Sequence, residues 1–569
     1  MGILDYKSED VLGTVESVDT AAVIVRVDND ERLRDLQVNY LVGVQSSKTN
    51  QHLIGLVSKI IRKSALLDLD TSADEYQSFN ILKVILIGTH IDKLADKKNV
   101  FRRTLSTVPT INAECFTIHG ERLKQFMQAI SSVPEGEGTV SLEIGHYSID
   151  EEAVAWLNGN KLFQRHSVIV GGTGSGKSWC VARILEQVAA LKSADAILFD
   201  IHGEYEPLKG DNFVHFKVAG PSDIQSGGVL FLPYWLLTYE EMLSLMLDRS
   251  DSNAPNQAMM FSNAVFEGKQ SFLNTNGKAE LSANITLDSP IPYNLNQLLT
   301  ELKNKDEEMV PGARIGTEKQ GPYNGKLTRF IQRLQTKQSD RRLNFMFSQD
   351  LNLLKYGYML DLCNKIMQPA NDGRGGVKII DFSEVPSDIL PLIVSLMARL
   401  VFSVQQWSDV TKRHPIAIFC DEAHLYIPAN TDKSIDNASL VNFERISKEG
   451  RKYGIGLVVI SQRPSEVNRT VLSQSNNFIA MRLTNVDDQA VVKRLLPDSL
   501  GDYAEMLPIL DIGEALVVGD ASLLPSRIKV TQPTLKPRSA TIDFWDEWAK
   551  NKVSIDIEAA IEALRKQTK

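Results

Sequence analysis

The apolar positions of this chain change their spacing near residue 150. Before it they come in short runs broken by Gly, Asn and Asp. Val11 to Val27 reads as two strands with a turn near Asp19, and 52–61 and 81–91 read as further strands. Repeated short strands with such turns predict a small β-barrel over 1–150. From 151 onward, β-branched runs alternate with helical patterns, which predicts a parallel sheet covered by helices. Its strands are expected at 168–170, 196–200, 377–381, 416–420, 456–461, 477–481 and 515–518. Residues 235–375 are mostly helical and polar in pattern. They read as an insertion that divides the α/β core into 151–234 and 376–535. The tail, 536–569, ends in a helix with Ile557, Ala560, Ile561 and Leu564 on one face. Such a tail is expected to pack on its own core or on a neighbouring subunit.

Composition narrows the class. Four scattered cysteines, Cys115, Cys180, Cys363 and Cys420, form no close pair, so neither a zinc site nor a disulfide is expected. The most apolar stretch, Ile389 to Ala398, is short for a membrane span and reads as a buried helix. With no signal peptide read, a reducing cytoplasm is the expected compartment. The net charge of −9 argues against nucleic acid as a ligand of the whole surface, yet leaves room for a locally basic pore.

Two motifs carry the chemistry. After the apolar run Val168-Ile169-Val170 comes Gly171-Gly172-Thr173-Gly174-Ser175-Gly176-Lys177-Ser178, and then a helical pattern from Trp179. Gly, four residues, Gly-Lys-Ser in a strand–loop–helix context is a phosphate-binding loop. Its backbone N–H groups and the helix N-terminus attract phosphate oxygens. Gly172, Thr173, Gly174, Ser175, Gly176, Lys177, Ser178 and Trp179 are therefore the candidate nucleotide contacts. Lys177 is read as reaching the β and γ phosphates of ATP, and Ser178 as a ligand of Mg²⁺. The second motif is the apolar run 416–420 ending in Asp421-Glu422-Ala423-His424. Asp421 suits the water shell of Mg²⁺. Glu422 can activate a water for attack on the γ-phosphate, which points to hydrolysis and not to a kinase.

Other residues are weaker candidates. Asp200, His202 and Glu204 follow a strand end and could support metal, water or a neighbouring subunit, or simply cap a loop. Gln462, at the end of the strand 456–461, could contact the γ-phosphate or the attacking water. The charged segment 443–454 holds Arg445 and Arg451, either of which could reach into the next subunit's site; a solvated helix with Glu–Arg pairs is the plainer reading. Arg329, Arg333, Lys337 and Arg341 recur every four residues and would form one basic stripe beside Leu327, Phe330, Ile331 and Leu334. That stripe reads either as contacts to nearby acids or as a DNA-phosphate or partner surface. The segment "QSGG" (225–228) sits far too early to be a transporter-ATPase signature.

Taken in order, "GGTGSGKS", "FDIHGEY", "IFCDEAHLYIP", "EGRKYGIGLVVISQRP" and "GEALVVGD" resemble the HerA family of hexameric motors, relatives of FtsK. The resemblance covers about residues 1–535. It implies a RecA-like core, an amino-terminal barrel, a helical-bundle insertion, a homohexameric ring and ATP-driven movement along double-stranded DNA. By position it implies that Arg451 is the finger acting in trans, with Arg445 in reserve. It also implies that Arg165 lies near the phosphates and that Gln462 is the sensor. Members of this family commonly work with a partner nuclease or, in antiphage systems, with a sirtuin-like NAD hydrolase. A second function stays open on the same residues: a ring scaffold whose nucleotide state activates such an effector without processive movement. A secretion or conjugation ATPase would be expected to carry a membrane anchor, which is not read here.

Overall fold

The structure is a computed structural model. It describes residues 4, 6, 10–66, 76–91, 100–131, 141–496, 501–538, 544–550 and 556–567, except 20–21, 35, 49, 106, 315, 432–433 and 523. The chain forms two compact units. The first comprises Met1–Gln187, Gln462–Ser465 and Leu472–Thr534; the second comprises Val188–Ser461, Glu466–Val471 and Leu535–Lys569.

The first unit opens with an antiparallel barrel. Its strand order is Ala22–Val27, Val11–Val18, Glu114–Thr117, Leu41–Gln45, Gln51–Leu66 and Tyr76–Ile91, and the last pairs back onto the first. Closure pairs the two outer strands of the six with each other, and a short seventh strand, Val100–Arg102, lies on the end of Tyr76–Ile91. Alternation then sends Val23, Val25, Val42, Val44, Leu53 and Val84 into one core, with Val15 and Cys115 beside them. The turn expected near Asp19 is closed by Asp19 N–H donating to Ala22 O, and the positions between them lie outside the described residues.

A second sheet of this unit runs in the order Ser167–Val170, Asn477–Met481, Glu514–Gly519, Ser526–Val530, Ser141–Tyr147, Asp150–Asn158. Its first pair is parallel and every later pair antiparallel. The parallel pattern expected from sequence therefore stops at Asn477–Met481. The connection that follows, which includes helix Val486–Leu495, brings Glu514–Gly519 back beside it in the opposite direction.

The second unit carries the parallel sheet in the order Val229–Leu230, Phe213–Val218, Val377–Asp381, Ala196–Asp200, Ile416–Cys420, Ile455–Ser461. Its last three strands are buried at every position, as the continuous apolar runs require. Helix Leu390–Trp407 is, among the described residues, the one long and apolar enough to cross a membrane, and 72% of it is buried inside the chain. Between Val229–Leu230 and Val377–Asp381 lie the helices of the insertion, chief among them Ala254–Thr275, Leu295–Asp306 and Thr328–Ser339. Helix Tyr239–Met246 starts on a capping box of Thr238 and Glu241, and the Glu241 carboxylate also takes a two-pronged contact from Arg399 at 2.8 Å. The tail helix Ile557–Lys566 leaves Ile557, Ile561 and Leu564 exposed.

One buried cation in the insertion has a measurable consequence. Lys269 Nζ donates to the carbonyls of Leu287 (2.6 Å) and Ser289 (2.7 Å), holding the loop after helix Ala254–Thr275. Burial pushes its ammonium down to about 8, with Asp288 pulling the other way. An unfolded lysine titrates near about 10.4, so between those values the unfolded chain binds the extra proton and stability rises with pH. Urea melts at several pH values should show the wild-type curve gaining about 1 kcal/mol per pH unit over Lys269→Met in that window. Parallel curves would mean that the amine is charged in the fold.

Candidate functional site

In the first unit, strand Ser167–Val170 delivers the chain from a fully buried position to the glycine loop. Gly174 (φ +73°) and Gly176 (φ +99°) take left-handed conformations that a side chain would strain. The loop is braced on three sides. Ser175 N–H donates to Gly172 O (3.1 Å), Gly172 N–H to Arg482 O (2.9 Å) and Gly513 N–H to Ser175 O (2.9 Å). Helix Lys177–Ala189 starts at the loop's end and turns the positive end of its dipole toward the loop. Lys177 and Ser178 are both buried.

Ser175 shows what this cradle is shaped for. The residue is 1% exposed, and its Oγ has no hydrogen-bond partner. A buried hydroxyl left so costs about 1–3 kcal/mol. A phosphate oxygen would satisfy it. The donors present (loop N–H groups, one lysine, the hydroxyls of Ser175 and Ser178) fit a nucleotide's phosphates with a hard divalent cation on the Ser178 oxygen.

Gln462 is brought to this loop: Thr173 Oγ1 donates to its Oε1 at 2.8 Å. Arg165 is not. It caps helix Gly159–Gln164 ahead of strand Ser167–Val170, at the opposite end of the strand from the loop. There its Nε stands 3.8 Å from Asp520, which also faces Arg103 at 3.4 Å. Trp179 lies in the first turn of the helix, half-buried.

In the second unit, strand Ile416–Cys420 ends on Asp421 and Glu422, both buried. The Tyr426 hydroxyl donates to Asp421 O at 2.8 Å and fixes the turn that follows. Glu422 has φ +46° and ψ 44°, a left-handed backbone that costs a non-glycine residue on the order of 1 kcal/mol or more. His424 Nδ1 lies 3.3 Å from Glu422 Oε2 and 3.3 Å from Ser461 Oγ. Sequence reasoning assigns His424 no role. Its spacing two residues after the glutamate is a weak signal, and the Ser461 contact is non-local.

Asp200, on the neighbouring parallel strand, accepts the N–H groups of Gly203 (2.9 Å), Glu204 (3.0 Å) and Tyr205 (2.9 Å). The loop cap is thus the part it plays here, and His202 is exposed. Burial pushes the Asp200 acid up to about 7, and the charges of Asp421 and Asp381 add to that against the pull of the N–H groups.

The two candidate arginines separate clearly. Arg445 is committed within its own chain: its guanidinium sits 4.8 Å over the Phe402 ring, donates to Gln406 Oε1 (3.2 Å) and stands 3.8 Å from Glu449. Arg451 lies in the single turn Gly450–Tyr453, exposed, with no ion pair among the described residues. The basic stripe is also largely committed. Arg333 pairs with Asp248 (2.7 Å), Lys337 approaches Asp388 (3.8 Å), and Arg329 approaches Asp251 (4.0 Å). Arg341 falls beyond the end of helix Thr328–Ser339, so the stripe is one residue shorter than its spacing suggests.

The chain is similar to known proteins along most of its length. The family "Helicase HerA, central domain" matches residues 142–401, and "Helicase HerA-like C-terminal" matches 352–553. The DNA double-strand break repair helicase HerA of Saccharolobus solfataricus is 26% identical over 515 residues, 88% of this chain and 89% of its own length. The protein of the same name from Pyrococcus furiosus is 24% identical over 466 residues, 74% of this chain and 77% of its own length. Among solved structures, VirB4 of Thermoanaerobacter pseudethanolicus matches 71% of this chain and 100% of its own (16% identity, TM-score 0.46). Plasmid coupling protein TrwB in complex with ADP and Mg²⁺ matches 74% of this chain and 94% of its own (12% identity, TM-score 0.43). The two family matches together run from 142 to 553, and the chain belongs to the HerA helicase family of P-loop ATPases.

Proposed function

We propose that this chain is the subunit of a six-membered ring that moves along double-stranded DNA as it hydrolyses ATP. The observation that carries the reading is the braced phosphate loop, with Lys177 buried in it and the Ser175 hydroxyl left for a phosphate oxygen. The helicase names of its relatives supply the substrate.

In this reading Lys177 binds the β and γ phosphates and Ser178 holds Mg²⁺, with Asp421 steadying the ion's water shell. When bound, the ion offsets charge on the phosphate oxygens. Glu422 takes a proton from the attacking water. Gln462, held by Thr173, senses the γ-phosphate from the loop side. Arg451 completes the site of an adjacent copy. Any DNA cutting or NAD hydrolysis comes from a separate partner chain, and the ring works in the cytoplasm.

The test is ATP turnover with and without duplex DNA, together with displacement of a third strand annealed to a duplex. Duplex should raise turnover, and the third strand should leave only while ATP is consumed. A third strand that stays in place while a partner enzyme is activated would replace this reading with the scaffold.

The paired stripe makes its own prediction. Arg329→Ala with Arg333→Ala should leave the salt dependence of DNA binding unchanged, because these side chains face Asp251 and Asp248. Loss of about one unit of slope per arginine would put the stripe on the DNA path.

A further inference from the structure

The phosphate loop has an apolar neighbour that phosphates do not use. Gly513, at the end of the segment 509–513, lies directly against it: its N–H donates to Ser175 O at 2.9 Å. A Cβ on Gly176 would stand 3.2 Å from Gly513 Cα, so a side chain at 176 would crowd this approach. Arg482, whose carbonyl takes the Gly172 N–H, borders the same side.

This neighbouring loop is stiff. Asp511 N–H donates to Glu514 Oε2 (2.9 Å) and Ile512 N–H to Asp511 Oδ1 (2.7 Å). Lys529 Nζ donates to Ile512 O (2.7 Å), and Val530 N–H donates to Gly513 O (2.8 Å). Every contact here is made by backbone or by a charged side chain. The side chains of Ile512 and Ile509 take no part in it, and the two residues remain 57% and 72% exposed. An exposed isoleucine at a rigid position, one residue from the backbone that braces the phosphate loop, is a flat apolar surface with its placement already fixed. The reactant that brings both phosphates and an apolar face to this spot is a nucleoside triphosphate.

We propose that Ile512 is the platform on which the nucleobase of the bound nucleoside triphosphate rests. The inference builds on the reading of Gly171–Ser178 as a phosphate loop and adds what that loop cannot supply, a reason to prefer a nucleotide over bare polyphosphate. An aliphatic side chain covers a base's face and leaves its hydrogen-bonding edge unread. ATP and GTP should therefore depend on Ile512 alike.

The experiment compares binding of ATP, GTP and inorganic tripolyphosphate, each with Mg²⁺, to the wild-type chain, Ile512→Asp and Ile512→Ala by calorimetry. Ile512 is exposed, so neither change should disturb folding, and circular dichroism checks this. Ile512→Asp should weaken ATP and GTP together by about 10-fold or more, as expected for losing most of one buried apolar contact. Ile512→Ala should weaken them by less, and tripolyphosphate should bind Ile512→Ala as tightly as the wild-type chain. If all three ligands weaken together in Ile512→Ala, the loop only supports the phosphate site and the platform is wrong. If none weakens, the base lies elsewhere and the platform is equally wrong. Failure of the wild-type chain to bind tripolyphosphate at all would instead remove the phosphate-loop reading on which the platform stands.

Discussion

Glu422→Gln should bind ATP as tightly as the wild-type chain and turn it over about 10²–10⁴ times more slowly. Glutamine fills the same volume and keeps the backbone in its left-handed turn at φ +46°. It loses only the capacity to accept a proton from water. Lys177→Ala differs in kind: it removes the cation from the phosphate loop, so affinity and turnover should fall together. A third variant separates chemistry from strain. Glu422→Gly relieves the left-handed backbone and also lacks the carboxylate, so it should be as inactive as Glu422→Gln while losing little stability. Single-turnover hydrolysis and equilibrium binding of a fluorescent ATP analogue check these outcomes. Wild-type turnover in Glu422→Gln would end the water-activating role and turn attention to His424, 3.3 Å away.

The strands of the α/β core were legible because burial on both faces leaves no room for polar alternation. Ile416–Cys420 is an unbroken apolar run and Ala196–Asp200 is one up to its final residue, and both stand where those runs predict. Phe213–Val218 and Ser526–Val530 were not legible. Each carries charged or polar residues on a half-exposed face, so in "FVHFKV" and "SRIKV" short alternation is hard to tell from a loop. The direction of Glu514–Gly519 was hidden for another reason. A strand's apolar content reports its burial and carries no sign of whether its partner runs parallel or antiparallel.

The candidate site divides along the same line. Its local part, glycines before a lysine and an acidic pair after an apolar run, lies in consecutive residues and is visible in them. Its non-local part is not. The contact of Thr173 with Gln462 spans 289 positions, and that of His424 with Ser461 spans 37. Arg165 shows the converse: twelve residues before Lys177 in sequence, it is carried by an extended strand to the far end from the phosphate loop. Proximity along a strand is separation in space, at roughly 3.3 Å per residue.

Arg451→Ala should leave ATP affinity near normal and lower turnover by about 10³ or more, the range expected when an arginine finger is withdrawn. The structure narrows the choice of finger by commitment. Arg445 would have to leave the Phe402 ring, Gln406 and Glu449 before reaching another molecule, and each contact is a cost against that movement. Arg451 is exposed in a one-turn segment and gives up no ion pair among the described residues to reach out. A finger that acts on an adjacent copy can be shown by complementation. Neither Arg451→Ala nor Glu422→Gln should turn over ATP at an appreciable rate alone. Mixed rings contain interfaces that pair an intact Glu422 on one copy with an intact Arg451 on the next, so mixing should restore a fraction of wild-type turnover. The restored rate should peak at intermediate mixing ratios, because only unlike neighbours form complete sites. Mixed rings verified by mass that show no restored turnover would place Arg451 in cis or outside the chemistry, and Arg445→Ala would then be the variant to put through the same mixing.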